Sequence, residues 1–425
     1  AIGRAALNEQ NFSTATDAFN VAVGHEAGLG ITTGQQNTLI GAEAGDAMTD
    51  VDFNVAVGHQ ALSGEVLGSR STAIGRAALR TQSFSTATDA YNVAVGFNAG
   101  LSVTTGQYNT LIGGEAGDAI TTGGSNVAVG YFALSTEDGH GFNVAVGNRA
   151  LGNQNAGANA YNVGVGTDAG LSVTTGVQNC IVGGLAADAL TSGTHNTALG
   201  TIALTGDTQG NFSVAVGYGT LATQNFTTST NTYNIAVGYS AGNDITTGIS
   251  NTLMGGLTGD ALTDADYNTA IGTFALTTDT LGSRSTAYGY GALQNQNFTT
   301  ATNSFNTALG MEAGYAITTG TENTLVGGEA GDAITTGIRN SALGLGALGS
   351  MTEGRSNTAI GRTAQNADTK GRYCVAVGED SLASQNFTTL TSVYNVGVGY
   401  AAGLNVTTGL QNTAIGGEAG LSFTT

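Results

Sequence analysis

A short string, Asn-[Thr/Val]-Ala-[Ile/Val]-Gly-x-x-Ala-[Gly/Leu], returns along the whole chain at nearly constant spacing. It is read in Asn20-Val21-Ala22-Val23-Gly24 and again in Asn412-Thr413-Ala414-Ile415-Gly416. Its glycine occurs in 24 copies, from Gly3 to Gly416. Most steps are 17 residues; the steps ending at Gly24, Gly96, Gly238, Gly310 and Gly399 are 21, and the one ending at Gly166 is 19. Gly3, Gly75, Gly147, Gly217, Gly289 and Gly361 mark super-repeats of 72, 72, 70, 72 and 72 residues, with one extra 17-residue step after the last. A repeat this short cannot bury its apolar surface alone. It must stack on its neighbours, which predicts a solenoid.

Each repeat reads as one rung. Before the strand centre stands mostly Val or Thr, and after it Ile, Val, Leu or Met, with Tyr288 as the exception in the second position. They alternate with small residues, as one face of a strand does. Neither face carries charge, so both are expected to be covered, one lining the interior and the other packing on something else, such as a second chain. The motif glycine predicts a turn closed to residues with side chains. Ile31-Thr32-Thr33-Gly34 and its copies predict a second turn. The fold expected is all-β: a parallel β-solenoid of 17-residue rungs in 72-residue super-repeats, continuous over residues 1–425 in about 24 rungs.

The position four before the motif glycine is Asn in 19 of 23 rungs, with Ser71, Ser213, Ser285 and Cys374 in the others. Asn20, Asn37, Asn54, Asn92, Asn109 and Asn126 are expected to stack as a structural ladder along the axis. Asn is also a good turn residue, and the two readings are compatible.

The long rungs carry inserts such as Asn11-Phe12-Ser13-Thr14 and Asn297-Phe298-Thr299-Thr300. Insertions in a solenoid map to loops on one side. Phe12, Phe84, Phe226, Phe298 and Phe387 are therefore candidate surface-loop contacts, either to a receptor or to a neighbouring rung or chain.

Composition excludes several classes. Proline is absent, so collagen is excluded despite 68 glycines. Disorder needs more charge and less apolar content than 10% and 40%. Net charge is −19 and Lys370 is the only lysine, so nucleic acid is not an expected partner. No apolar run reaches the ~20 residues that cross a membrane, so no membrane insertion is expected. Cys180 and Cys374 lie too many rungs apart to pair and are read as small apolar residues. The chain opens and closes within a repeat, as a segment of a longer fibre would.

Nothing predicts catalysis, a metal or a cofactor. His25, His59, His140 and His195 are read as surface scatter. Gly344-Leu345-Gly346-Ala347-Leu348-Gly349 matches a dinucleotide pattern only formally, because strand–turn–helix context is lacking. Asp46, Asp50 and Asp52, repeated as Asp260, Asp264 and Asp266, admit a calcium reading beside that of solvated turn carboxylates.

Ser71-Thr72-Ala73-Ile74-Gly75-Arg76-Ala77-Ala78 and Asn357-Thr358-Ala359-Ile360-Gly361 resemble the head repeats of trimeric autotransporter adhesins, and are similar to repeats in bacteriophage tail fibres. The resemblance covers essentially the whole chain. It implies a left-handed β-roll built as a parallel homotrimer, placed on a virion or cell surface. It implies attachment to a cell-surface glycan or protein receptor, without catalysis. Adhesin head repeats are usually shorter than these, and no neck motif or heptad stalk is present. The alternative weighed is an ice-binding solenoid, since Thr38, Thr72 and Thr110 share a column, although Val55, Val93 and Val127 interrupt it. A solenoidal polysaccharide lyase or hydrolase would need an acidic and basic cluster breaking the repeat, and none is read.

Overall fold

The computed structural model describes residues 1–425, and all its regular structure is β. It forms two compact units, Ala1–Phe212 with Thr227–Thr230, and Ser213–Phe226 with Asn231–Thr425. In the first, three-residue strands from Val21–Val23 to Thr197–Leu199 pair in parallel, each with the strand one rung on. In the second the same pattern runs from Val214–Val216 to Thr413–Ile415. Register follows the repeat: Val21, Ala22 and Val23 face Thr38, Leu39 and Ile40, and Ala308 faces Leu325 across the later strands. Each unit is thus a parallel β-solenoid with one strand per rung. At the long rungs the insert adds a second, two-residue pairing, Gly68–Ser69 with Thr88–Asp89 and Gly282–Ser283 with Thr302–Asn303.

The small face of the strand is the interior. Ala22, Leu39, Ala56 and Ala73 are fully buried, while Val21, Ile40 and Ile74 point outward and are roughly half exposed. The lumen has little room for strand side chains because the turns fill it: Ile31, Met48, Leu62 and Leu79 are all buried there.

Packing explains the four-rung period. The strand centre reads Ala22, Leu39, Ala56, Ala73, while the position four after each motif glycine reads Gly28, Gly45, Leu62, Leu79. A Cβ on Gly28 would lie 2.6 Å from Leu39 Cδ1, and one on Gly45 3.0 Å from Leu39 Cδ2. Leu39 therefore occupies the volume that the two glycines leave. The same interlock recurs at Leu111 over Gly100 and Gly117, and at Leu325 over Gly314 and Gly331. Large residues alternate with small ones to reach native density, and each buried Leu contributes about 1.5–3 kcal/mol.

The motif glycine is required twice over. Gly113 has φ +139°, and a Cβ there would sit 2.3 Å from the carbonyl oxygen of Gly130 in the next rung. Both the backbone conformation and the close approach demand glycine.

Candidate functional site

The asparagine column is a ladder between side chain and backbone. Asn20 Oδ1 accepts the N–H of Asn37 at 2.8 Å, Asn37 Oδ1 that of Asn54 at 2.9 Å, and Asn54 Oδ1 that of Ser71 at 2.8 Å. Asn92, Asn109 and Asn126 continue it at 2.9–3.0 Å. From Asn20 to Asn126 the Nδ2 donates across its own rung to the second turn, Asn20 to Gly34 O at 2.7 Å and Asn109 to Gly123 O at 2.9 Å. One amide thus joins a rung to its successor and to its own far corner. Stacking and turn-making are the same bond set.

At Ser71, Ser213, Ser285 and Cys374, each before a 21-residue rung, the ladder loses its Asn, and a buried polar node mends it. The interior column that reads Ile31 and Met48 becomes Glu65 and then Gln82. Glu65 Oε1 accepts the N–H groups of Val66, Gly68 and Phe84 at 2.9, 2.6 and 3.3 Å. Gln82 Nε2 donates to Glu65 Oε2 at 2.7 Å and to Ser71 Oγ at 3.0 Å, while its Oε1 accepts from Asn92 Nδ2 at 2.8 Å. Asp279 with Gln296, Ser285 and Asn306 repeats this arrangement, as does Asp368 with Gln385, Cys374 and Asn395. Burial pushes the Asp279 carboxyl above its ordinary range, against the hydrogen bonds that pull it down. Burial likewise pushes the Cys374 thiol up to about 11, which leaves an inert thiol at neutral pH.

The exposed surface carries two other regular features. The first is the outer strand face, whose paired positions, such as Val127 and Val129 or Thr358 and Ile360, hold no charged residue in any three-residue strand. The second lies one residue before each ladder position. There the backbone is left-handed although the residue is not glycine: Phe53, Tyr91, Tyr108, Phe142 and Tyr161 have φ between 51° and 64°. That conformation costs about 1–2 kcal/mol per residue. The N–H so directed is used, as Tyr108 N–H donates to Ala90 O at 2.9 Å. The turn throws the side chain into solvent, and the rings meet. Tyr91 stacks on Tyr108 with centroids 5.8 Å apart, Phe142 on Tyr161 at 5.1 Å, and Tyr373 on Tyr394 at 5.3 Å. Arg70 bridges Phe53 and Tyr91, its guanidinium 4.8 and 5.8 Å from their ring centres.

No family model matches the chain, and no curated protein matches it.

The insert phenylalanines are mostly turned inward. Phe84, Phe226, Phe298 and Phe387 are only 5–7% exposed, and Phe12 is half-buried. Their backbone N–H groups are drawn to the buried carboxylates, as Phe298 N–H donates to Asp279 at 3.1 Å, and the rings fold over the node. Phe84, Phe226, Phe298 and Phe387 are thus buried against the rungs, as the covering reading of the inserts expects. Asp50 and Asp52 do not converge on a cation position. Asp50 accepts from Thr33 Oγ1 and Asp52 from the Gln35 N–H, both at 2.7 Å, and Asp264 and Asp266 repeat this. The node acids and the aromatic column went unread in the sequence. A carboxylate or Gln in a column otherwise Ile, Val, Leu or Met was the signal for the first. The position before each Asn was the signal for the second.

Proposed function

We propose that the chain is a segment of an extracellular attachment fibre on a virion or cell surface, a left-handed β-roll assembled as a parallel homotrimer, with no catalytic role. The observation that carries this reading is the outward strand face. It repeats once per rung, is built almost wholly of Val, Thr, Ile, Leu and Met, and holds no charge. A contiguous apolar face of this kind marks an interaction surface, and the interdigitating columns of a second copy match its spacing. Light scattering on the purified chain tests it. A mass three times 42.2 kDa is expected, and a stable monomer overturns it.

The receptor in this reading is a cell-surface glycan. A file of exposed rings spaced by one rung offers sugar rings an apolar stacking surface, while the interspersed Gln36, Arg70 and Gln178 supply hydrogen bonds. Replacing Tyr91 and Tyr108 with Ala removes adhesion to glycan-coated surfaces. Adhesion that persists on deglycosylated cells points instead to a protein.

One observation favours a second reading. Thr38, Thr72 and Thr110 lie in one register column of the outward face, alternating with Val55 and Val93, and a threonine column is what an ice-binding surface presents. Thermal hysteresis in a monomeric preparation establishes it, and its absence removes it.

A further inference from the structure

The node is built differently at one place. Glu137 stands where Glu65 stands one super-repeat earlier, and Gln154 where Gln82 does. Asn143 replaces Ser71, Ala156 replaces Phe84, and the rung is two residues shorter than other long rungs. The bond between acid and glutamine that closes the other nodes is missing, although Gln154 Oε1 still accepts from Asn162 Nδ2 at 2.6 Å. Glu137 Oε2, Asn143 Nδ2 and Gln154 Nε2 are buried and make no hydrogen bond, and neither does His140 Nδ1. Elsewhere the equivalent carboxylate oxygen takes the glutamine amide at 2.5–2.7 Å. Glu137 Oε1 is held by the His140 backbone N–H at 3.2 Å and lies 3.5 Å from His140 Nδ1.

Ligand-capable atoms of Glu137, Asp138 and His140 all lie within 4.8 Å of one another. Glu137 is fully buried, His140 is partly buried and Asp138 is exposed, so the cluster reaches from the interior to solvent. Gly139 gives the turn that brings its neighbours round, and its N–H donates to Asp138 Oδ1 at 2.5 Å. Ala156 is the only small residue in the column of insert phenylalanines (Phe12, Phe84, Phe226, Phe298 and Phe387), so no ring lies over this carboxylate.

We propose that Glu137, Asp138 and His140 form a site for one divalent first-row transition ion, such as Zn2+. Two carboxylate oxygens and one imidazole nitrogen are a donor set for such an ion, with water completing the coordination. The ion supplies the partner that Glu137 Oε2 lacks. The site does not depend on the fibre reading.

The test is titration of the full, tag-free chain with Zn2+ by calorimetry, and with Co2+ by absorption spectroscopy. Wild type is expected to bind one ion per chain at this site. His140→Ala removes that stoichiometric ion, since a partly exposed side chain is lost without disturbing the strands. The isosteric Glu137→Gln weakens binding by at least the about ten-fold that loss of a mere supporting partner costs. His59→Ala leaves it unchanged. Absence of saturable binding in wild type overturns the proposal, as does equal binding by wild type, His140→Ala and Glu137→Gln.

Discussion

Two copies of the same node, one closed and one open, show what an insert does in this solenoid. Around Asp279 every polar atom has a use: the carboxylate takes the Gly282 and Phe298 N–H groups and the Gln296 amide, and Phe298 folds over the top. Around Glu137 the acid and the glutamine are retained, yet they do not meet, and alanine stands where the ring would be. The closed copy shows that a buried carboxylate is tolerated when several N–H donors and an amide converge on it. The open copy keeps the burial and loses the convergence. The difference lies in a few residues of one loop.

The comparison is sharpened first at the ring. Phe298→Ala is expected to cost about 3–5 kcal/mol of local stability, read by hydrogen exchange at the Gly282 and Phe298 amides. Unchanged protection there would show that the ring does not close the node. Next comes the carboxylate. Asp279→Ala leaves its donors unpaired, at about 1–3 kcal/mol for each that stays dry, while Glu137→Ala costs less because Glu137 Oε2 makes no bond. Equal losses in melting experiments would erase the distinction between the copies. Third is the amide: Gln296→Leu breaks three hydrogen bonds and is expected to cost about 1–3 kcal/mol, with Gln154→Leu milder since Gln154 Nε2 is already unpaired. A larger effect at Gln154 would reverse the reading.

The smallest effect is that of pH. Burial raises the Asp279 and Glu137 carboxyls, and raises Asp118 to about 6. The folded chain therefore holds protons that the unfolded chain releases. Stability rises as pH falls from about 6 toward the ordinary carboxylate value near 3.8. The melting temperature should be higher at pH 5.5 than at pH 7.5, and Asp118→Asn should flatten the difference. A chain that loses stability over that interval contradicts the shifts.

The architecture was legible because its signal is periodic. Gly113 and its equivalents must be glycine for reasons of backbone and contact alike, so they persist at every rung, and Asn109 persists because both ends of its amide are bonded. Which strand face lies inside was not legible. Val127 and Ala128 are both apolar, and the choice depends on how much of the lumen Leu134 and Ile120 already fill, a volume question that single-rung patterning does not pose. The phenylalanines left two readings open, since an aromatic residue in an insert can face a receptor or cover a rung, and the partner that buries them, Glu65 or Asp279, lies nearly twenty residues away in sequence. His140 was dismissed for the same reason. Its significance comes from the missing ring at Ala156 and the unmade bond at Gln154, both visible only when super-repeats are laid side by side in three dimensions.

The interlock of Leu325 with Gly314 and Gly331 bears on how such a molecule changes length. A rung cut out beside Leu325 would set its side chain against a neighbour with no hollow to receive it. Rungs centred on alanine make no such demand, and the extra turn is found among them: the strands ending before Gly344, Gly361 and Gly378 are centred on Ala342, Ala359 and Ala376. There the chain has grown by a single 17-residue step with its strand register intact. Reach is therefore a heritable quantity, adjustable in increments of about 4.8 Å, and the alanine rungs are the joints at which a genome can lengthen or shorten the protein without redesigning its interior.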